Sequence, residues 1–282
     1  MNIENTYLSL RRRLKEITGS EGEATAMARL IFHALKGWST TDLVIHYSDT
    51  AGEFLTGRIR EILGKLQEGE PIQYILGEAR FYGMTLKVTP ATLIPRPETE
   101  ELVEIIVREN AERRGLRVLD VGCGSGAIAI ALSRNLLFPE VTAIDISREA
   151  ADVARENARM LHARIDVLQE DIFSYRTDAR SLDIIVSNPP YVMESERSGM
   201  ERHVLEHEPA TALFVPDDDP LRYYRRIGLT GKEALRECGR LYFEINPLCA
   251  ADLASLLREQ GYRDVRILRD ISGKERFATC SL

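Results

Sequence analysis

A tetrapeptide suited to holding a flat nitrogen compound, Asn188-Pro189-Pro190-Tyr191, follows the apolar run "SLDIIVS". Asn188 offers a side-chain amide oxygen, and Pro189 offers a backbone carbonyl without a competing N–H donor. Tyr191 carries a ring that can stack on a planar group. Such a site could accept both hydrogens of an amide or amino group and aim its nitrogen. Taken alone, the same four residues could equally be a proline-rich turn that ends a strand.

A glycine-rich loop lies upstream in "LDVGCGSGAIA" (residues 119–129). Gly122, Gly124 and Gly126 permit tight backbone angles and the close approach of a ligand, and Cys123 and Ser125 complete the loop. Asp145 follows 19 residues after Gly126, at the end of the strand-like run "VTAID". A carboxylate at that position can accept both hydroxyls of a ribose. The loop therefore predicts a ligand that contains a nucleoside.

The identity of that ligand depends on acidic residues. Gly122-x-Gly124-x-x-Ala127 also satisfies a relaxed dinucleotide pattern. However, Asp120 precedes the glycines, where an acid would oppose a pyrophosphate but suit the ammonium of a methionine moiety. In "EDIF", Asp171 can accept from the amino group of an adenine and Ile172 can cover its face, although Asp171 could instead cap a helix or turn. These residues favour S-adenosylmethionine over NAD.

The elements that must position these residues alternate from residue 116 onward. Short apolar strands and amphipathic helices follow one another, which predicts an α/β fold with a doubly wound, mostly parallel sheet. The Asn188–Tyr191 tetrapeptide follows the fourth strand, so it should share the carboxyl edge of the sheet with the glycine loop. Pro97 is expected in the first turn of a helix. Residues 194–220 are expected to form a long irregular connection.

Three regions are predicted along the chain. Residues 1–70 show apolar positions at three- and four-residue spacing, which predicts a small helical bundle. Residues 71–95 contain short strand-like pieces around Gly77 and Gly83, which predict a β-hairpin linker. Residues 96–282 form the predicted catalytic domain.

Composition excludes several classes of protein. The chain has 282 residues, 44% hydrophobic and 29% charged, which indicates a buried core. The net charge of −7 argues against a partner bound mainly through phosphates, and the basic cluster of residues 11–15 is interpreted as a solvated helix face. No apolar run is long enough for a membrane span, and no secretory signal is visible. The four cysteines form no C-x-x-C pair, so we expect reduced thiols, no metal site and a cytoplasmic protein.

Several stretches together resemble a known family. "DVGCGSGAIA" with Asp145 resembles the class I S-adenosylmethionine-dependent methyltransferases, and "NPPY" narrows the resemblance to those that methylate planar nitrogens. "PIQYILGEARFYG", "LIPRPETEELVE" and "HEPATALF" resemble the release factor glutamine N5-methyltransferases, the PrmC/HemK family. The match extends over nearly the whole chain, and the order and spacing of these motifs make it specific.

The resemblance implies a Rossmann-like sheet with an N-terminal helical domain that docks a peptide chain release factor. The implied target is the glutamine of the factor's Gly-Gly-Gln motif, with S-adenosylhomocysteine as the other product. Gly122 to Gly126 would line the methionine side of the cofactor, Asp145 would bind the ribose, and Asp171 and Ile172 the adenine. Asn188 would also border the cofactor. The implied catalytic and substrate-binding residues are Asn188, Pro189, Pro190 and Tyr191.

The resemblance is incomplete at two places. The family often has a glycine and a glutamine after the fifth strand, where this chain reads "EINPLCA" with Asn246 and Cys249. The glycine-rich stretch usual after "EPxxAL" is replaced by "VPDDDPL". Residues 95–100, "PRPETE", are expected to border the pocket, and the resemblance assigns no separate role to any of them. We expect a monomer that binds neither nucleic acid directly nor membrane.

Two alternatives remain open. A nucleic-acid base methyltransferase acting on adenine N6 or guanine N2 would also use the tetrapeptide, but the acidic balance and the lack of a basic, aromatic-rich appended domain disfavour it. A dinucleotide-dependent dehydrogenase or a nucleotide-sensing module would leave Asn188–Tyr191 without a function.

Overall fold

The computed structural model describes all 282 residues, which group into two compact units. The first unit comprises Met1–Gly77 together with Arg202–His207. The second comprises Glu78–Glu201 and Glu208–Leu282. The hairpin that was predicted as a linker thus groups with the second unit.

The first unit is helical, as the periodicity of residues 1–70 predicts. Its helices are α1 (Ile3–Thr18), α2 (Glu21–Lys36), α3 (Thr40–Ile45), α4 (Glu53–Gln67) and α5 (Ile72–Leu76), joined by the helix Arg202–His207. Asn2 and Ser20 accept backbone N–H groups at the starts of α1 and α2, which satisfies donors that a helix leaves unpaired. The apolar faces of these helices meet in one buried cluster that includes Leu14, Ile31 and Phe32.

The second unit begins with the predicted hairpin, formed by β1 (Glu78–Phe81) and β2 (Met84–Lys87). Tyr82 and Gly83 connect the strands with φ values of 46° and 72°. Two consecutive positive φ values are typical of a type I′ turn, whose twist matches that of the flanking strands.

The remaining strands are β3 Arg117–Val121, β4 Glu140–Asp145, β5 Ile165–Gln169, β6 Leu182–Ser187, β7 Val192–Met193, β8 Phe214–Val215, β9 Leu235–Glu244, β10 Arg263–Arg269 and β11 Glu275–Ser281. The main sheet has seven strands in the order β10-β11-β9-β6-β3-β4-β5. Five strands, β3, β4, β5, β6 and β9, run parallel, whereas β11 pairs antiparallel with both β9 and β10. A second small pair consists of β7 and β8.

Helices cover both faces of the sheet, which confirms the doubly wound fold. The helices of the second unit are α6 Pro97–Glu109, α7 Ala127–Asn135, α8 Arg148–Met160, α10 Ala210–Leu213, α11 Arg222–Ala234 and α12 Ala250–Glu259. The helix Arg202–His207 of the first unit is α9. Buried side chains of α6, α7 and α8 form one apolar layer, and those of α11 and α12 form the other. Pro97 occupies the first turn of α6, as predicted. None of the helices combines the length and hydropathy that crossing a membrane requires.

The prediction of an irregular connection over residues 194–220 is wrong. This segment contains a 3-10 helix (Glu194–Gly199), α9, α10 and β8. Side chains stabilise it locally: Glu196 accepts the Met193 N–H at 2.9 Å, and Asp217 accepts both the N–H and the hydroxyl of Ser195. Such bonds need no repeating apolar pattern, so hydrophobic periodicity does not reveal them.

Candidate active site

The candidate site lies at the carboxyl edge of the sheet, beside β3. The chain passes from β3 to β4 on one side, while β6 lies on the other. Ligands of open α/β sheets bind in the crevice at such a point of reversal. A cavity of about 290 Å³ is located there, lined by the glycine loop, by the ends of β4, β5 and β6, and by residues of the "PRPETE" and "HEPATAL" stretches.

The three glycines of the loop have two different uses. Their φ values are 73° at Gly122, 53° at Gly124 and 81° at Gly126, a region that disfavours other residues. A Cβ atom on Gly126 would lie 3.1 Å from Ala154 Cβ and 3.2 Å from Ile130 Cδ1, so this glycine allows α7 and α8 to pack closely. A Cβ on Gly122 or Gly124 would meet no protein atom within 4 Å, so these two leave room for a ligand against the backbone.

Asp145 fixes the loop from the end of β4. Its Oδ2 accepts the Gly124 N–H at 2.8 Å and its Oδ1 accepts the Ser147 N–H at 2.9 Å. Burial raises the pKa of Asp145, an effect that these two N–H donors partly oppose. Each carboxylate oxygen has a second lone pair, so the group can also accept hydroxyls from a ligand in the cavity that it lines.

Asp171 and Ile172 lie on the cavity wall that follows β5. Asp171 Oδ1 accepts the Phe173 N–H at 2.9 Å, so this carboxylate does cap a turn while also facing the cavity. Arg226 donates to the Ile172 carbonyl at 2.7 Å, which holds the turn against α11. Buried Ile172 therefore presents an apolar surface at a fixed place.

An aromatic cluster that sequence reasoning missed continues this wall. The rings of Phe173 and Tyr223 lie 5.5 Å apart, and the Arg222 guanidinium lies 5.2 Å from the centre of the Phe173 ring. All three residues line the cavity. Flat rings beside Ile172 suit a flat base. Phe173 stands in the "EDIF" stretch, so an aromatic residue next to the adenine candidates was the available signal.

Asp120 differs from its expected place near a ligand ammonium. It is completely buried, and it is not part of the cavity wall. Its Oδ2 accepts the Ala129 N–H at 3.0 Å. This bond satisfies one of the unpaired donors at the start of α7, where Gly126 has no side chain to cap them. Burial raises its pKa to about 7. Asp120 therefore stabilises the start of α7, which follows the glycine loop, and does not line the cavity.

A hydrogen bond from the Ser187 hydroxyl holds the Asn188–Tyr191 tetrapeptide beside the glycine loop. Ser187, the last residue of β6, donates to the Val121 carbonyl at the end of β3 at 2.7 Å. Asn188, Pro189 and Pro190 line the cavity. The structure thus brings together the two motifs that sequence reasoning placed at one edge.

Tyr191 is placed differently from its three neighbours. It does not line the cavity, and its hydroxyl donates to Glu244 Oε1 at 3.1 Å. Burial and the nearby Glu244 carboxylate raise the pKa of Tyr191. The Tyr191 carbonyl accepts Asn246 Nδ2 at 3.1 Å. Asn246 therefore holds the end of the tetrapeptide.

A buried hydrogen-bond network behind the tetrapeptide was not predicted. Asn188 Nδ2 donates to Thr99 Oγ1 at 3.3 Å, and the Thr99 hydroxyl donates to Glu244 Oε2 at 2.6 Å. Burial raises the pKa of Glu244, against the lowering effect of the two hydroxyl donors. Glu244 is the last residue of β9. Its signal in the sequence is the same as that of Asp145: an acid that ends an apolar strand.

A second unpredicted contact joins the two stretches that "PRPETE" and "HEPATAL" contribute to the wall. Glu208, whose side chain is 0% exposed, accepts Arg96 Nη2 at 2.6 Å and the Ile94 N–H at 3.2 Å. Pro209, Thr211 and Ala212 follow Glu208 and line the cavity. The ion pair thus fixes two sides of the cavity to each other.

The residues present fit S-adenosylmethionine. The loop provides an open backbone cradle at Gly122 and Gly124, Asp145 provides a carboxylate for a diol, and the wall around Ile172 is apolar. Two basic residues, Arg96 and Arg222, also line the cavity, and neither belongs to the glycine loop.

Strand order and site together define a class I S-adenosylmethionine-dependent methyltransferase. The family model "Methyltransferase small domain" matches residues 99–213. An rRNA N2 G1207 methyltransferase from T. thermophilus, solved with AdoMet and guanosine, has the same fold at a TM-score of 0.54 and 20% identity, over 72% of this chain and 49% of that one. A methyltransferase from Pyrococcus furiosus aligns at a TM-score of 0.51 and 15% identity, over 82% and 98%.

More similar relatives narrow the assignment. The PrmC N-terminal domain model matches residues 8–77. The "Release factor glutamine methyltransferase" of Bacteroides thetaiotaomicron is 45% identical over 100% of both chains, and that of Streptococcus pneumoniae is 42% identical over 91% of both. The chain belongs to the release factor glutamine methyltransferase family, and its cofactor is S-adenosylmethionine.

Proposed function

We propose that this protein transfers the methyl group of S-adenosylmethionine to the side-chain amide nitrogen, N5, of the glutamine in the Gly-Gly-Gln motif of peptide chain release factors. The observation that carries the proposal is that Asn188 and Pro189 line the same cavity as Gly122, Gly124 and Asp145. Acceptors for a planar nitrogen therefore stand next to a cradle for the cofactor. The names of the relatives support a release factor as the substrate, in preference to another molecule that carries an amide group.

The chemistry requires orientation more than acid–base catalysis. S-adenosylmethionine, when bound, supplies a methyl group activated by its sulfonium. An amide nitrogen is a poor nucleophile because its lone pair is delocalised. Asn188 Oδ1 and the Pro189 carbonyl would accept the two N–H hydrogens and direct the nitrogen. Such positioning can lower a barrier by up to ~7 to 11 kcal/mol. The proton leaves to solvent after the methylated nitrogen has become acidic.

The remaining site residues would hold the cofactor. Gly122 to Gly126, with Cys123 and Ser125, would border its methionine part, and Asp145 would accept the ribose hydroxyls. Asp171 and Ile172 would receive the adenine, and Asn188 would border the cofactor as well as the substrate. Tyr191 would act by holding the tetrapeptide through its hydrogen bond to Glu244.

The proposal also covers the setting in which the protein works. The helical first unit would dock the release factor, and the protein would act as a monomer in the cytoplasm without binding nucleic acid directly. The net charge of −7 supports the last point.

The test supplies labelled S-adenosylmethionine with four acceptors in separate reactions. These are a purified release factor, the same factor with its Gly-Gly-Gln glutamine changed to alanine, tRNA, and duplex DNA. We expect label in the unmodified factor alone, and a mass shift of one methyl group on that glutamine. Label in nucleic acid, or equal label in the altered factor, would refute the proposal.

The role of Asn188 has its own check. Asn188→Ala should reduce kcat by roughly 100-fold, because a misplaced nucleophile loses the benefit of orientation. Cofactor affinity, measured by calorimetry, should change by less than about threefold. Weak cofactor binding with normal turnover at saturation would contradict the assigned role.

A further inference from the structure

We propose that Thr99 and Glu244 are positioning residues that set which way round the Asn188 side-chain amide stands, and so make the site selective for a nitrogen that carries two hydrogens. The inference rests on the proposed function and extends it to residues outside the tetrapeptide. Neither residue needs to touch the reacting atoms for this role.

The network starts from Glu244, whose carboxylate can only accept hydrogen bonds when it is ionised. Glu244 is 2% exposed, and its two carboxylate oxygens receive two different hydroxyls, Thr99 at 2.6 Å and Tyr191 at 3.1 Å. The 2.6 Å distance lies in the range of a hydroxyl that donates to an ionised carboxylate. The two hydroxyls and the nearby Arg276 cation favour that ionised form against the effect of burial on the pKa of Glu244. Because an ionised carboxylate has no hydrogen to offer, both hydroxyls must donate to it.

This direction is passed on to Asn188. A threonine hydroxyl has a single hydrogen, and that of Thr99 points at Glu244. Thr99 Oγ1 can therefore only accept from Asn188, whose Nδ2 lies 3.3 Å away. The amide is held by its NH₂ group, which leaves Asn188 Oδ1 as the atom available to the cavity that Asn188 lines. The reversed amide would set a donor against the donors of the substrate.

The network is built on rigid elements. Ser187 pairs with Phe243 across β6 and β9, so Asn188 and Glu244 are the residues that follow a paired position on neighbouring strands. Thr99 lies in the first turn of α6 and is 5% exposed. The Tyr224 hydroxyl donates to the Glu244 carbonyl at 3.0 Å. A side chain held by three fixed elements can keep an amide in one orientation.

The experiment compares three threonine variants with saturating cofactor and release factor as substrate. Thr99→Val removes the hydroxyl at nearly constant size, and we expect kcat to fall by roughly 10- to 100-fold. Thr99→Ser keeps the hydroxyl and should retain kcat within about threefold. Thr230→Val is the matched control, because Thr230 is also a buried hydroxyl, bonded to the Arg226 carbonyl on α11, away from the cavity. It should leave kcat within about twofold.

A second set of measurements separates positioning from mere stability. In the Asn188→Ala background, Thr99→Val should change kcat by less than about threefold, because both changes remove one shared function. Cofactor affinity should be retained in every variant. Two results would overturn the inference. One is that Thr99→Val lowers kcat by the same factor in the wild type and in the Asn188→Ala background, and the other is that Thr99→Val has a normal kcat.

If Thr99→Val does not fold, Glu244→Gln takes its place, since it keeps the size of the side chain while adding a donor that permits the reversed amide; normal kcat in that folded variant would overturn the inference. The Asn188 NH₂ resonances, identified by their loss in Asn188→Ala, should exchange faster in either variant. This readout needs no substrate, so a wild-type protein that is inactive on release factors would refute the proposed function while the NMR result still decides this one.

Discussion

Burial changes the pKa of individual acidic residues in this site, and Asp120 shows this most clearly. Its carboxyl group is completely buried under the glycine loop; Oδ2 accepts the Ala129 N–H, while Oδ1 has no hydrogen-bond partner. Burial and, to a smaller extent, the nearby Asp145 carboxylate raise its pKa to about 7 from an ordinary value of 3.8. A partly satisfied carboxyl in this place favours the neutral form.

The stability of the protein should therefore depend on pH through Asp120. An acid with a raised pKa binds more protons in the folded state than in the unfolded state, so its contribution is largest below about pH 4 and is lost as the pH rises towards 7. Asp120→Asn imitates the neutral carboxyl. Between pH 5 and pH 8, the wild type should lose stability relative to this variant, on the order of 1 to a few kcal/mol. Urea unfolding of both proteins at both pH values measures the difference, and a difference that does not vary with pH would contradict the prediction.

At the scale of elements, four parallel strands position the site residues because their carboxyl ends lie at the same edge of the sheet. The glycine loop follows β3, Asp145 ends β4, Asp171 follows β5, and the tetrapeptide follows β6. The segment that runs from the tetrapeptide to β8 does not directly follow a strand of the main sheet. Its cavity-facing residues after Glu208 depend on the bonds of Glu208 to Arg96 and to the Ile94 backbone.

Glu208 should therefore be important for the shape of the cavity. Glu208→Gln places an amide NH₂ opposite either the Arg96 guanidinium or the Ile94 N–H, where a buried acceptor is needed. We expect the free energy of unfolding to fall by about 1 to 3 kcal/mol and turnover to fall with it. Glu206→Gln is the matched control, since Glu206 is 41% exposed and pairs with Arg202 on the surface. Urea unfolding and limited proteolysis of residues 194–221 would check this. Equal behaviour of the two variants would show that the buried pair does not hold the segment.

For the molecule as a whole, the elements were predictable and the contacts between them were not. Alternating strands and helices, the glycine loop and Asp145 follow local patterns, so the sequence predicts the sheet edge where the ligands of such a fold bind. The Thr99–Glu244 bond joins residues 145 positions apart, and the Arg96–Glu208 pair joins residues 112 apart. No periodicity encodes such separations. The prediction that Asp120 lies near a ligand ammonium was wrong for the same reason. Only the packing of α7 on β3 shows which side of the loop its carboxyl group faces.

The charge of the whole molecule leads to the last prediction, which concerns nucleic acid. The net charge is −7, and within the basic cluster on α1 both Arg11 and Lys15 pair with Glu21, at 2.8 Å and 2.9 Å. A protein that makes 6 to 10 phosphate contacts loses ~10³- to 10⁵-fold in affinity between 50 and 200 mM salt. We expect no such behaviour: labelled tRNA and duplex DNA should bind no more tightly than ~10⁻⁵ M at 50 mM salt, by fluorescence anisotropy. Glu21→Gln is the control, since it frees both cations and should strengthen any residual binding. Tight binding by the wild type that salt abolishes would show that a phosphate-binding surface exists despite the acidic balance, and would return the nucleic-acid methyltransferases to consideration.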